Sequence, residues 1–134
     1  MKITQLTLHN YRCYDNFRID FDPDITVLVG RNGQGKTAIL DAIAVALAPY
    51  LGGFDQGMGQ HFSNHDARRI PHERDGGRMD METLYPVRVE AMGNLHGEDI
   101  TWQRSRKSLK GRTTIKESAP LVGLAKGFQE AVRA

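Results

Sequence analysis

Eight consecutive residues, Gly30-Arg31-Asn32-Gly33-Gln34-Gly35-Lys36-Thr37, constrain this chain more than any other stretch, because they satisfy G-x-x-x-x-G-K-[ST] at every fixed position. Their setting agrees with the pattern. Upstream, Ile25-Thr26-Val27-Leu28-Val29 is β-branched and almost uninterruptedly apolar, as a strand buried on both faces should be. Downstream, the stretch from Lys36 to Ala48 contains no helix breaker before Pro49, and its Ile39, Ile43, Ala46 and Leu47 recur at helical spacing. A strand therefore feeds a glycine-rich turn that opens a helix predicted to end at Pro49.

That order of elements suits a polyphosphate. The first turn of a helix offers unpaired backbone N–H groups and the positive end of the helix dipole. Glycines at 30, 33 and 35 let the backbone close around phosphates where a Cβ would clash. Lys36 is placed to reach the β- and γ-phosphates of a triphosphate as a compact charge, and the Thr37 hydroxyl to ligate Mg²⁺.

The chain of 134 residues is long enough for one domain with a real core, and short for a complete nucleotide hydrolase. Its formal net charge of +2 does not by itself imply nucleic-acid binding. A single cysteine, Cys13, excludes an internal disulfide, suits a reducing compartment and reads as a packing residue. The N-terminus lacks the apolar core of a signal peptide, and no apolar run approaches the ~20 residues of a membrane span, so a cytoplasmic location without membrane partners is expected.

Residues 2 to 9 read as a first strand, and Phe17, Ile19 and Phe21 alternate with Arg18, Asp20 and Asp22 in a second. Asp22-Pro23-Asp24 then turns into the strand of the phosphate loop, so three strands precede the first helix. Past Pro49, residues 51 to 59 form a glycine-rich connection, and the polar and basic Pro71 to Met81 reads as a solvated loop. Val87, Val89 and Ala91 alternate against Arg88 and Glu90, and residues 93 to 99 turn into Ile100-Thr101-Trp102-Gln103, which makes a hairpin. Its second arm continues into Arg104, Arg106, Lys107, Lys110, Arg112 and Lys116; such a run is either solvated surface or a set of contacts to DNA phosphates. No aromatics interleave it, so base stacking has little support. From Pro120, Leu121, Leu124, Ala125, Phe128 and Val132 fall at helical spacing, with Ser118 as the expected cap, and the pattern is still running at Ala134, as in a piece of a larger protein. His61 and His65 are spaced i, i+4, but no carboxylate or cysteine completes a metal set around them.

The first 45 residues also resemble a family. Ile3-x-x-Leu6-x-Leu8-x-Asn10-Tyr11-Arg12, the aromatic Tyr14, and the run from Phe21 through Gly30-x-Asn32-Gly33-x-Gly35-Lys36-Thr37 to Leu40-Asp41-Ala42-Ile43 resemble the N-terminal lobe of SMC-like, RecF-like and OLD-type ATPases, the ABC-type heads of DNA repair and phage defence. Residues 85 to 116 further resemble bacterial defence ATPases of the Septu and retron-associated PtuA kind. The fold implied is an α/β P-loop NTPase, an ABC-ATPase-head-like N-terminal lobe in which antiparallel strands flank the P-loop strand and helix. One lobe would span 1–134, with a P-loop core at 1–50, a glycine-rich and basic loop at 51–82, and a hairpin with the start of a helix at 83–134.

By matching position, the resemblance implies that Arg12 approaches the phosphates, that Asn32, Gly33, Gln34, Gly35, Lys36 and Thr37 wrap them, and that Ala38 adds a backbone contact. Asp66, in a segment resembling [IS]-x-x-x-D-[IVA]-R, becomes a candidate contact on the base or ribose side. ATP and Mg²⁺ are the implied cofactors, with Thr37 the metal ligand. The implied partners are a C-terminal ATPase lobe or second protomer, DNA and an associated nuclease. The Q-loop glutamine, the S-G-G signature and an apolar strand ending in Asp-Glu are absent from these residues, so no catalytic residue is assigned within the chain, and ATP hydrolysis is expected only in a complete head. An alternative is a degenerate, non-catalytic module that senses nucleotide or serves assembly. A small P-loop kinase or GTPase is disfavoured by the strand-rich N-terminus and the lack of Asn-Lys-x-Asp.

Overall fold

A computed structural model describes residues 2–22, 34–52, 61–114 and 116–133. The proposed phosphate-loop strand at 25–29, the loop residues Gly30 to Gly33 and most of the glycine-rich connection, 53–60, lie outside the described residues. In chain order the elements are β1 (Lys2–Tyr11), β2 (Tyr14–Asp20), α1 (Gln34–Gly52), β3 (Arg69–Arg74), β4 (Arg78–Thr83), β5 (Val87–Leu95), β6 (Glu98–Arg106), a 3-10 turn (Lys116–Ser118) and α2 (Ala119–Arg133).

Four strands form one antiparallel sheet in the order β2-β1-β5-β6. Period-two alternation sorts its two faces. Leu6 pairs with Ala91 and Leu8 with Val89, and Ala91 pairs in turn with Trp102, so these side chains share the inner face and are all buried. Helices α1 and α2 cover that face, with Ala38, Ala42, Val45 and Ala46 of α1 and Leu121 and Ala125 of α2 buried in the common core. Small residues along α1 let it lie close to the sheet. Gly93 has a similar reason: a Cβ there would sit 2.4 Å from the Lys2 carbonyl oxygen, where β5 crosses the irregular register of β1.

Four sequence expectations are corrected. The helix expected to stop at Pro49 runs through it to Gly52. An interior proline cannot donate to the carbonyl four residues earlier, and here the Arg104 Nη1 donates to that Val45 carbonyl at 3.0 Å while Trp102 Nε1 donates to the next, Ala46, at 2.8 Å. The helix is completed from the sheet. Second, Pro71 to Met81 is no irregular loop, because β3 and β4 pair antiparallel around Asp75-Gly76-Gly77, whose glycines take φ of 90° and 75°. This ribbon is exposed along almost its entire length. Third, β2 starts earlier than the Phe17 alternation suggests, at Tyr14, and ends at Asp20; Phe21 still donates its N–H to the Thr4 carbonyl at 2.9 Å.

The fourth correction concerns the basic arm. Val89 pairs with Arg104 and Val87 with Arg106, so both arginines continue the inward parity of Trp102 and are buried, at 1% and 9% exposure. Arg104 also donates from Nε to the Thr114 carbonyl at 3.1 Å. Arg106 donates to the Phe62 carbonyl at 3.1 Å, the Asn64 side chain at 2.8 Å and the Leu109 carbonyl. They pin β6 to neighbouring segments and present no charge to DNA. Ser118 does immediately precede α2, with its hydroxyl donating to the Gln103 carbonyl at 2.8 Å.

Candidate functional site

Three segments converge on the first turns of α1. The tight β1–β2 turn, Arg12-Cys13, places Arg12 at φ 52°, a left-handed conformation. Arg12 Nη1 lies 2.8 Å from Asp41 Oδ2, and its Nε and Nη2 both lie 2.9 Å from Asp66 Oδ1. Asp41 is one helical turn beyond Thr37 and therefore on the same face of α1. Arg12 is thereby anchored beside the turn that carries Lys36 and Thr37.

The second tie is Tyr14, whose hydroxyl donates to the Gly35 carbonyl at 3.1 Å while its ring stacks on Phe17, centroids 4.5 Å apart. A Cβ on Gly35 would lie 3.0 Å from that hydroxyl, so any larger residue at this position crowds Tyr14. The third segment, 61–68, is stitched to the β1–β2 turn by backbone bonds from Arg12 N–H to the Asp66 carbonyl, 2.7 Å, and from Arg68 N–H to the Asn10 carbonyl, 2.9 Å. Arg68 adds a bond from Nη1 to the Cys13 carbonyl at 2.6 Å.

Electrostatics follow from this packing. Burial opposes the Arg12 charge, but hydrogen bonds to Asp41 and Asp66 outweigh it and hold its pKa above the ordinary arginine value. The Tyr11 hydroxyl is fully buried with no partner; burial foremost, then the nearby Asp66 charge, raises its pKa far above that of a free tyrosine, and it stays neutral. The Arg12 guanidinium carbon sits 5.2 Å from the Tyr11 ring centroid, adding a cation–π contact.

Of the residues singled out in the sequence, Gly35 and Lys36 are half-buried in the first turn of α1, Thr37 is exposed there, and Ala38 is buried beneath them. Gln34 begins the helix, and Asn32 and Gly33 lie outside the described residues. No acidic residue occupies the first turn, which leaves the positive end of the helix uncompensated by its own side chains. Asp66 has a buried carboxylate committed to Arg12 and, through Oδ2, to the Ser63 N–H at 2.7 Å. Sequence reasoning gave no role to Asp41 or Tyr14, although Asp41 sits at the signalled i+4 distance from Thr37. His61 precedes an irregular turn and His65 lies within it, with no helix between them, and His61 Nδ1 faces Arg104 Nη2 at 3.3 Å.

An N-terminal turn free of carboxylates, carrying lysine and threonine and braced by an arginine, is an arrangement suited to a phosphate. A family model described as AAA domain matches residues 5–133, nearly the whole chain, and the chain belongs to that family. Over 100 residues it is 31% identical to the DNA replication and repair protein RecF of Heliobacterium modesticaldum, a match covering 75% of this chain and 22% of RecF. RecF of Psychromonas ingrahamii is 36% identical over 74 residues, 54% of this chain and 18% of that protein. The DNA double-strand break repair Rad50 ATPase of Halobacterium salinarum is 45% identical over 47 residues, 35% of this chain and 5% of its own length. The family and these relatives support an SMC/RecF-like ABC-type ATPase region, and the chain spans less than a quarter of each relative's length.

Proposed function

We propose that this chain is the ATP-binding lobe of an SMC/RecF-like ATPase acting in DNA repair. The observation that carries the reading is the bracing of the first turns of α1 by Arg12 and Tyr14, which hold the Lys36-Thr37 turn against the sheet. In this reading Asn32 to Thr37 wrap the phosphates, Ala38 contributes its backbone, Lys36 neutralises charge, and Thr37 holds Mg²⁺, which would screen the phosphate charge. Arg12 faces the same anion, and Asp66 sets its orientation from the side away from α1. Because Asp66 is occupied by Arg12 and Ser63, its part in base or ribose recognition is indirect.

The binding half of an ATPase head is what these residues supply. No Walker B acid follows an apolar strand, so hydrolysis is assigned to a complete head containing a C-terminal lobe or a second protomer. DNA as a partner is supported by the names of the repair proteins this chain resembles, and a cytoplasmic location belongs to the same reading. Phage defence and an associated nuclease rest on the PtuA-like character of 85–116 alone, and a nucleotide-sensing module without turnover is the other reading of the missing catalytic groups.

Calorimetric titration with Mg-ATP and, separately, with adenosine tests the assignment. Saturable binding of Mg-ATP with none of adenosine is expected, since the residues assigned in this reading address phosphate. Equal binding of both would remove the phosphate site.

A further inference from the structure

The outer face of the sheet, opposite α1, holds a feature that nucleotide binding does not use. Arg88 pairs with Ser105 across β5 and β6 and points outward, between the inward-facing Val87 and Val89. Beside it lies a cleft of about 480 Å³ whose lining includes Arg88, Lys107 and Lys116, together with Ser105, Thr114 and Glu117. The Arg88 Nε is buried and has no hydrogen-bond partner, and its Nη1 comes no closer than 3.8 Å to the Glu90 carboxylate. A buried N–H left unmade is costly, and a guanidinium carrying one beside a cleft is a donor held ready for an acceptor.

The charges around it select the acceptor. Glu117 is the carboxylate in the lining, and its oxygens are already taken by the hydroxyls of Ser105 at 2.6 Å and Thr114 at 2.7 Å and by the Gln103 amide. Those two hydroxyls are spent as donors on Glu117. What remains for a ligand is the Arg88 fork and the exposed ammonium groups of Lys107 and Lys116. Three cations lining one hollow whose lining holds one satisfied carboxylate, with Glu90 outside the lining, suit a tetrahedral dianion better than a single carboxylate, and arginine with lysine is the usual donor set for phosphate. We infer that Arg88, Lys107 and Lys116 form a second phosphate-binding site, separate from the first turn of α1. Its ligand is a phosphate group, carried either by a free phosphate compound or by a nucleic-acid backbone.

The test uses the full 134-residue chain carrying Lys36→Ala, which weakens phosphate binding at the first turn of α1. The Arg88 Nε–H resonance is followed by ¹⁵N-correlated NMR as inorganic phosphate is added, with chloride at equal ionic strength as control. A saturable shift with phosphate and none with chloride is expected. Lys107→Gln and Lys116→Gln, both at exposed positions that leave the core intact, should each weaken the site about three- to tenfold. A short single-stranded oligonucleotide that displaces phosphate identifies the backbone as the source, and one that leaves the signal unchanged identifies a free phosphate compound. An Nε–H resonance that responds identically to phosphate and chloride, or a phosphate affinity untouched in the Lys107→Gln/Lys116→Gln double variant, overturns the site.

Discussion

Arg104 donates to the carbonyl of Val45, the helical acceptor whose usual donor is abolished by Pro49. A buried arginine on β6 thus supplies from outside what the sequence of α1 removes. Burial lowers its pKa to about 10, which still leaves it charged at neutral pH. Replacing Arg104 by Met should destabilise the fold by about 2–4 kcal/mol, because the Val45 and Thr114 carbonyls lose their donor. In a Pro49→Ala background the restored N–H serves Val45, and the same substitution should cost measurably less. Urea unfolding of the four proteins in the cycle measures the coupling, and strict additivity would show that the two residues act independently.

Glu117 supplies a pH dependence. Burial alone would raise its pKa, but hydrogen bonds from Ser105, Thr114 and Gln103, helped by the Arg88 charge, outweigh it and hold the pKa below the ordinary glutamate value. A carboxyl with a depressed folded-state pKa stabilises the fold above its unfolded value and loses that contribution as pH falls through the folded one. Stability should therefore decline on acidification below about pH 4.5. Glu117→Gln should flatten this part of the profile, as measured by thermal unfolding from about pH 3 to about pH 6. An identical acid limb in the variant would remove Glu117 as its source.

Asp66 couples stability to the nucleotide site. Its side chain is 4% exposed and that of Arg12 27%, so the ion pair is only partly screened. Asp66→Ala should cost about 1–3 kcal/mol by orphaning the Ser63 N–H and one side of Arg12. The same change should weaken Mg-ATP binding, because Arg12 is then held by Asp41 alone. Denaturant unfolding and ATP titration of one preparation read both effects, and the expected loss of stability with unchanged ATP affinity would restrict Asp66 to the fold.

How far the sequence reveals these features differs from element to element. β1, the β5–β6 hairpin, α1 and α2 are legible because each repeats its apolar residues at the period of its own geometry. The β3–β4 ribbon is not, since an exposed two-stranded ribbon has no buried face to impose alternation, and only Asp75-Gly76-Gly77 marks it. Arg104 and Arg106 are misread by charge, although they share parity with Trp102, because a strand partner's helix carbonyls cannot be seen in a local pattern. Arg12 stands out through resemblance, whereas its partnership with Asp41 and Asp66 spans 29 and 54 residues of chain and appears only in three dimensions. The loop residues Asn32 and Gly33 rest on the motif, as they lie outside the described residues.

Gly35 and Tyr14 give a steric prediction. A methyl group at residue 35 would sit 3.0 Å from the Tyr14 hydroxyl, so Gly35→Ala should displace Tyr14 and weaken Mg-ATP binding. Removing the obstructing oxygen in Gly35→Ala/Tyr14→Phe should recover part of the affinity, although Tyr14→Phe alone forfeits a hydrogen bond worth about 0.5–1.5 kcal/mol. Isothermal titration of the three variants decides it. A double variant no better than Gly35→Ala would place the effect in the loop backbone instead.

The most direct measurement is the affinity of Lys36→Ala for a fluorescent ATP analogue in the presence of Mg²⁺. Lys36 is half-buried in the first turn of α1 and outside the buried core, so circular dichroism and the unfolding midpoint should stay close to wild type. Binding should fall by about two orders of magnitude or more, as removal of a charge-assisted phosphate contact requires. Wild-type affinity in a folded Lys36→Ala protein would contradict the assignment of this turn as the phosphate site.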